Sequence, residues 1–301
     1  MKTVALLGTG IMGAPMARNI AQTGCSLRVW NRTIDKAKKL SDCASVFDSA
    51  AAAVSGADII ILMLKNGAIV TEVLFGEDGV TAAIKKNAIV IDMSSIQPSL
   101  ARDHANRLKE LEIRYIDAPV SGGEKGAKEA TLAIMAGGSF ADFQEVEPVF
   151  NAMGCSTHVG IHGAGQVAKL ANQVIVAVSI GAVAEALLLA QEGGCQPEAV
   201  RKALMGGFAT SRILELHGER MLERNWVPGG PLELQLKDLD NALDVAEMAG
   251  LKLPLTEQAR EAFWDLTNDL EMGRNDHSAY LRWLEVQNPG IRLGNVADQE
   301  P

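Results

Sequence analysis

The chain has 301 residues, 48% of them apolar, with 28 Lys and Arg against 37 Asp and Glu and a formal net charge of −9. That length holds two domains, or one large one, around a substantial core. The acidic balance excludes a general affinity for nucleic acid or anionic membranes, and it draws attention to any Lys or Arg near a glycine loop.

In chain order, Val4–Leu7 predicts a short buried strand, Gly8-Thr9-Gly10-Ile11-Met12-Gly13 a glycine loop, and Ala14–Gln22 a helix. A G-x-G-x-x-G loop between strand and helix cradles a dinucleotide pyrophosphate. Its first glycine makes the tight turn, the second admits the phosphates, and the third lets helix and strand pack closely. The helix N-terminus adds free N–H groups and partial positive charge. An ordinary glycine-rich turn is the alternative, which the strand–loop–helix context disfavours. Leu27–Trp30 predicts the second strand, ending in Asn31-Arg32-Thr33. An NAD-specific site places an acid at that tip for the ribose 2′-OH. Here Arg32 offers a guanidinium fork to a 2′-phosphate, with Asn31 and Thr33 as hydrogen-bond donors, which favours NADP over NAD. A solvated Arg32 stacked on adenine would allow either cofactor.

Apolar runs bounded by turn residues continue at Ala57–Leu64, Ala88–Asp92, Arg114–Ala118 and Thr131–Met135, with helices such as Gln97–Leu111 and Ala141–Met153 between them. Alternating buried strands and helices predict an α/β fold with a doubly wound parallel sheet. After Gly160 the pattern turns helical. Gln166–Gln191 predicts one long helix closed by Gly193-Gly194, Pro197 opens another, and 226–231 is a loop. Helices return at Leu236–Ala249, Leu255–Leu270 and His277–Val286, and Gly294–Pro301 reads as a mobile tail. The expected division is a dinucleotide-binding domain at 1–162 and an all-α domain for substrate and oligomerisation at 163–301.

Val174–Ala190 is short for a membrane span and carries Glu185, so a buried helix is expected. Cys25, Cys43, Cys155 and Cys195 form no C-x-x-C pair and are expected to be reduced. With no secretory signal evident at the N-terminus, a cytoplasmic location is expected. No metal is expected, because His104, His158, His162, His217 and His277 are scattered without ligand spacing; a satisfied structural role is expected for each.

Three further motifs carry chemistry. Asp117-Ala118-Pro119-Val120-Ser121-Gly122-Gly123 offers a hydroxyl and exposed N–H groups to a small carboxylate, or is a plain glycine turn. In Gly163-Ala164-Gly165-Gln166-Val167-Ala168-Lys169-Leu170-Ala171-Asn172-Gln173, Lys169 and Asn172 share a helix face. A lysine in an apolar helix needs a role or a partner. It could protonate the alkoxide formed when hydride reaches a carbonyl carbon, or snorkel to solvent. Gln235-Leu236-Lys237-Asp238-Leu239-Asp240-Asn241-Ala242 offers Lys237 to the cofactor, or is a solvated helix face.

Together the four motifs, in this order and across essentially the whole chain, resemble the β-hydroxyacid dehydrogenase family, which includes 3-hydroxyisobutyrate dehydrogenases and semialdehyde reductases. The resemblance implies that Lys169 is the general acid or base, that Ser121, Gly122 and Gly123 bind the substrate carboxylate, and that Asn172 lies in the substrate site. It puts Ser95 beside the nicotinamide and substrate, and Lys237 at a cofactor position. Ile11, Met12 and Leu64 complete the cofactor set with Gly8, Gly10, Gly13, Asn31, Arg32 and Thr33. Phe208 and Arg212 are candidate substrate selectors. The stretches Ala203–Glu215, Lys169–Ala177 and Asp276–Ala279 resemble the tartronate semialdehyde reductase branch, implying reduction of a small 2-hydroxy-3-oxo acid to glycerate with NADP or NAD. Other expectations kept open are 3-hydroxyisobutyrate, succinic semialdehyde or glyoxylate as substrate, and a dinucleotide-binding protein without turnover. Imine reductases of related fold resemble the chain less, because they usually lack a lysine at the position of Lys169. The apolar long helix implies a homodimer or homotetramer.

Overall fold

The computed structural model describes residues 2–301, which fall into two compact units, one ending at Lys169 and the other Leu170–Pro301. The first is built on a sheet of β1 (Thr3–Leu7), β2 (Ser26–Trp30), β3 (Ser45–Val46), β4 (Ile59–Leu62), β5 (Ile89–Asp92), β6 (Arg114–Asp117), β7 (Val120–Ser121), β8 (Leu132–Gly137) and β9 (Gly154–Gly160). The order is β3-β2-β1-β4-β5-β6-β8-β7, with β9 paired to β8. The first six strands are parallel in the doubly wound dinucleotide-binding order.

The strand sequences explain their position. Strands buried on both faces read as unbroken apolar runs. Alternate residues go to opposite faces: Val4, Leu6, Ile59, Ile61, Ile89 and Ile91 enter one core, and Ala5, Leu7, Ile60, Leu62 and Val90 enter the other. The expected α/β class and helical second half are thus observed, with one correction. The segment predicted at Thr131–Met135, here β8, runs antiparallel to β6 and β7, so the sheet is mixed beyond β6.

The second unit is helical around Trp226, Phe263, Leu281 and neighbours. Ala164–Glu192 is one helix, long and apolar enough to cross a membrane by length and composition. Its Ala177, Ile180, Ala184 and Leu187 are buried, whereas Ile175 is 66% and Leu189 76% exposed. The expectation of a buried helix therefore holds for one face only.

The tail at 294–301 is corrected from mobile to anchored. Trp226 N donates to Gln299 O and Gln299 N to Arg224 O, both at 2.9 Å. Arg224 is buried and needs counter-charges, which Asp298 (2.5 Å) and Glu285 (2.6 Å) supply. The four cysteines are unbonded.

Candidate active site

The C-terminal ends of the parallel strands gather the motifs of the first unit. Leu7, Leu62, Asp92 and Asp117 stand opposite one another in register. The segments that follow them therefore leave the sheet side by side. Met63 N donates to Leu7 O, Met93 N to Leu62 O, and Ala118 N to Asp92 O, at 2.9, 2.9 and 2.7 Å. The chain turns outward in opposite directions from β1 and β4, the switch point where such sheets bind ligands.

Sterics explain the glycine loop there. A Cβ on Gly13 would lie 1.9 Å from Gly8 O, and Gly8, at φ +104°, would press one to 2.2 Å from Met63 O. At Gly10 nothing lies within 4 Å, so its backbone faces open space. The helix Gly13–Ala21 that follows has no side-chain cap and no acid in its first turn. A groove of about 410 Å³ beside Thr9, Gly10 and Ile11 is lined by Lys36 and Lys39, by Arg18, which pairs with Asp42 at 2.7 Å, and by Lys128, which pairs with Glu124 at 2.6 Å. Uncapped N–H groups, an open glycine and a surplus of cations fit the phosphates of a dinucleotide. Ile11 is 72% exposed at the loop tip and Met12 half-buried behind it.

Asn31 ties this loop to the end of β2. Its Oδ1 accepts from Thr9 N and its Nδ2 donates to Thr33 O, each at 3.0 Å. Part of the donor capacity assigned to a phosphate is thus used internally, while Arg32 and Thr33 are exposed. Leu64 is half-buried, and its N–H donates to Ser94 Oγ at 3.0 Å. Ser95 is half-buried in the next turn. Ser121 closes β7, and Gly122 (φ +138°) and Gly123 (φ +61°) follow it, both exposed.

The start of the Ala164–Glu192 helix closes onto the same edge. Asp117 Oδ1 accepts from Gly163 N (2.7 Å) and Oδ2 from Gln166 N (3.0 Å), so a carboxylate caps this N-terminus. Gly165 is required by packing: a Cβ there would lie 2.4 Å from Met135 O and 2.5 Å from Asp117 O. Gln166 is buried, accepts from Ile96 N (3.0 Å) and donates to Ser94 O (2.9 Å). Lys169 lies one turn further on and is half-buried.

Two buried carboxyls underlie this edge. Burial pushes Asp117 up to about 7 against the two N–H bonds that favour its ionised form, and pushes Asp92, beside it in register, up to about 6. Both sit above their ordinary 3.8, so the folded chain holds protons that the unfolded chain releases. Their contribution to stability is complete below about pH 4 and is lost as pH rises through 6 and 7. The urea midpoint of the first unit is expected to fall between pH 5 and pH 7, and Asp117→Asn should flatten that dependence. A midpoint that climbs with pH over this window would be inconsistent with buried acids of raised pKa.

The second unit holds the remaining motif residues. Asn172 Nδ2 donates to Gln173 Oε1 (2.8 Å), and Gln173 Nε2 donates to Gln235 Oε1 and Asp238 Oδ2 (3.0 Å each). Asp238 pairs with Lys237 at 3.1 Å and is buried, which corrects the solvated-face reading of that motif for Asp238. Phe208 is fully exposed, and Arg212, the first residue of the helix Arg212–Glu223, pairs with Glu215 at 2.6 Å.

Sequence reasoning missed Asp117, Gln166, Gln173 and Asp238 as individual residues. For the two glutamines the available signal was an amide at 166 and at 173 among the largely apolar residues of the long helix.

One histidine differs from the expected satisfied structural role. His158 and His162 bond backbone carbonyls at 2.9 Å. His104 Nε2 meets Thr71 Oγ1 at 2.9 Å, but its Nδ1 is buried without a hydrogen-bond partner, whereas His217 Nδ1 faces Asp276 Oδ1 at 3.6 Å. Burial takes His104 down to about 4, so it is neutral at pH 7. His217, Asp276 and His277 bring possible ligand atoms within 4.8 Å of one another. Asp276 already accepts from Gly229 N, Gly230 N, Ser278 N and Ser278 Oγ and faces Arg220 at 3.4 Å, so it is committed to holding this corner together.

Comparison with known proteins agrees with this geometry. Residues 3–160 match the NAD-binding domain of 6-phosphogluconate dehydrogenase, and residues 163–284 match the NAD-binding domain of NADP-dependent 3-hydroxyisobutyrate dehydrogenase. The chain is 45% identical over 284 residues to the 2-hydroxy-3-oxopropionate reductase of Escherichia coli, covering 94% of this chain and 97% of that protein. It is 33% identical to the 2-(hydroxymethyl)glutarate dehydrogenase of Eubacterium barkeri, covering 97% and 98%. The structure of Mycobacterium tuberculosis 3-hydroxyisobutyrate dehydrogenase with L-serine superposes with a TM-score of 0.84 at 31% identity, covering 94% and 99%. With a Rossmann-type sheet, a glycine loop at its switch point and relatives matched over more than nine-tenths of the chain, the chain belongs to the 3-hydroxyisobutyrate dehydrogenase family of NAD(P)-binding oxidoreductases.

Proposed function

We propose that this enzyme reduces tartronate semialdehyde, a 2-hydroxy-3-oxo acid, to glycerate, with NADPH favoured over NADH. The observation that carries the chemistry is the Asp117 cap, which holds the start of the Lys169 helix on the sheet edge that carries the glycine loop. The identity to a 2-hydroxy-3-oxopropionate reductase supports the substrate.

In this reading the substrate carboxylate rests on Ser121 Oγ and the N–H groups of Gly122 and Gly123. A nicotinamide dinucleotide, held by the glycine loop and the tip of β2, would supply the hydride for the aldehyde carbon. Lys169 Nζ donates the proton that turns the developing alkoxide into the C3 hydroxyl, and is reprotonated from solvent. In the same reading Ser95 and Lys237 would hold the dinucleotide, Asn172 would hold the substrate, and Phe208 and Arg212 would select among acids. The exposed Ile175 and Leu189 support a homo-oligomer that covers the long helix. Initial rates at saturating NADPH with tartronate semialdehyde, methylmalonate semialdehyde, succinic semialdehyde and glyoxylate test the substrate. The first should have the highest kcat/KM by at least tenfold, and a tenfold preference for any other would replace it.

The cofactor preference rests on Arg32 at the exposed tip of β2 and on Asn31 in place of an acid. Arg32→Ala is expected to raise the KM for NADPH by about 10–100-fold, as a hydrogen-bonded charge pair of about 1.5–3 kcal/mol implies, with NADH unaffected. Equal effects on both cofactors would instead mean that Arg32 stacks on the adenine they share.

A further inference from the structure

We propose that Gln166 is a positioning residue for hydride transfer, its side-chain amide clamping the backbone on both sides of Ser95 to the helix that carries Lys169. The proposal rests on the reading of Lys169 and Ser95 given above.

The geometry is specific. Gln166 Oε1 accepts from Ile96 N at 3.0 Å and Gln166 Nε2 donates to Ser94 O at 2.9 Å, so one planar amide spans residues 94–96 with Ser95 between its two bonds. The backbone N–H of the same residue is held by Asp117 Oδ2 at 3.0 Å. Gln166 therefore joins the turn after β5, the end of β6 and the first turn of the long helix. It is completely buried, as is Ser94, so neither amide bond competes with water. Ser94 Oγ, in turn, accepts from Leu64 N, extending the tie to the segment after β4. Lys169 follows three residues later on the same helix face.

The clamp needs one acceptor and one donor at fixed separation. Methionine matches the volume and supplies neither bond. Glutamate supplies both only while protonated, when its carbonyl can accept from Ile96 N and its O–H can donate to Ser94 O. Ionised, it would set negative charge against the Ser94 carbonyl. That difference turns Gln166→Glu into a pH-dependent repair of the clamp.

The test compares wild type, Gln166→Met, Gln166→Glu and Lys169→Ala with tartronate semialdehyde and NADPH. Gln166→Met is expected to lose about 10–100-fold in kcat, because small misplacements of reacting groups cost that much. Its cofactor KM should stay within about threefold, and its deuterium isotope effect from C4-labelled NADPH should rise as hydride transfer becomes rate-limiting. Gln166→Glu should recover activity relative to wild type as pH falls from 8 to 6. Hydrogen exchange, measured without substrate, should be faster at the Ile96 amide in Gln166→Met and unchanged in β1 and β4. Wild-type kcat and isotope effect in Gln166→Met, with lowered melting temperature alone, would make Gln166 a structural brace and overturn the proposal. Unchanged exchange at Ile96 would overturn it independently of any activity. If Lys169→Ala also retains turnover, the underlying functional reading fails and the proposal falls with it. An inactive Lys169→Ala beside a fully active Gln166→Met condemns the Gln166 proposal alone.

Discussion

Lys169→Ala is expected to lower kcat for tartronate semialdehyde by about 10²–10⁴-fold, the range spanned by a positioned general acid. The loss should fall on the chemical step. Lys169 is half-buried on a helix whose start is fixed by Asp117 and Gln166, so the ammonium is presented from a rigid element. The fold should survive, because alanine favours the helix. NADPH binding, followed by quenching of protein fluorescence, should remain within a few-fold of wild type. Lys169→Arg should recover little, since a guanidinium stays protonated and cannot hand over its proton readily. A Lys169→Ala variant that folds normally and turns over at the wild-type rate would remove the lysine from the mechanism.

Gly165→Ala is expected to be strongly damaging although it adds a single methyl group. Its Cβ would lie 2.4 Å from Met135 O, 2.5 Å from Asp117 O and 2.8 Å from Asp117 Oδ2. None of these atoms is the free end of a flexible side chain. Relief requires the helix start to move away from β6 and β8, which breaks the Asp117 bonds to Gly163 and Gln166. Overpacking of about 1–3 kcal/mol, together with unmade buried hydrogen bonds of about 1–3 kcal/mol, gives a destabilisation of about 2–6 kcal/mol. A helix displaced by an ångström carries Lys169 with it, so kcat should fall about 10²-fold even in the folded fraction. Gly206→Ala is the control: its Cβ would meet only Ala203 O at an ordinary 3.5 Å, and the effect should be within about 0.5 kcal/mol. Urea unfolding and rates on the folded protein measure both terms. Equal stability of the two variants would mean that the close approach at Gly165 is relieved cheaply.

What could be read from sequence was what local sterics and period dictate. Val4–Leu7, Ile59–Leu62 and Ile89–Asp92 declare themselves because strands covered on both faces have no polar side. The loop Gly8–Gly13 declares itself because backbone contacts forbid a Cβ at Gly8 and Gly13. By contrast, β9 (Gly-Cys-Ser-Thr-His-Val-Gly) is not legible in the sequence, because its residues alternate between half-buried and exposed and only its pairing with β8 makes it a strand. The segment of β8 was recognisable, but its direction depends on the connection to β6 and not on its own residues. The tail looked mobile because nothing local reveals that Arg224, far away in sequence, needs Asp298.

The site divides in the same way. Lys169, Ser121 and the glycines stand in contiguous motifs, whereas the work of Gln166 and Asp117 is visible only once β5, β6 and the helix start are side by side. Gln173 and Asp238, 65 residues apart, meet through a fold that no spacing rule encodes.

The most direct test of the central claim is the fate of deuterium from NADPH labelled at both C4 positions, with tartronate semialdehyde as substrate and glycerate analysed by mass spectrometry. One deuterium at C3 of glycerate per NADPH oxidised is expected. Glycerate without deuterium, or no consumption of NADPH, would contradict hydride transfer to the aldehyde carbon of this substrate.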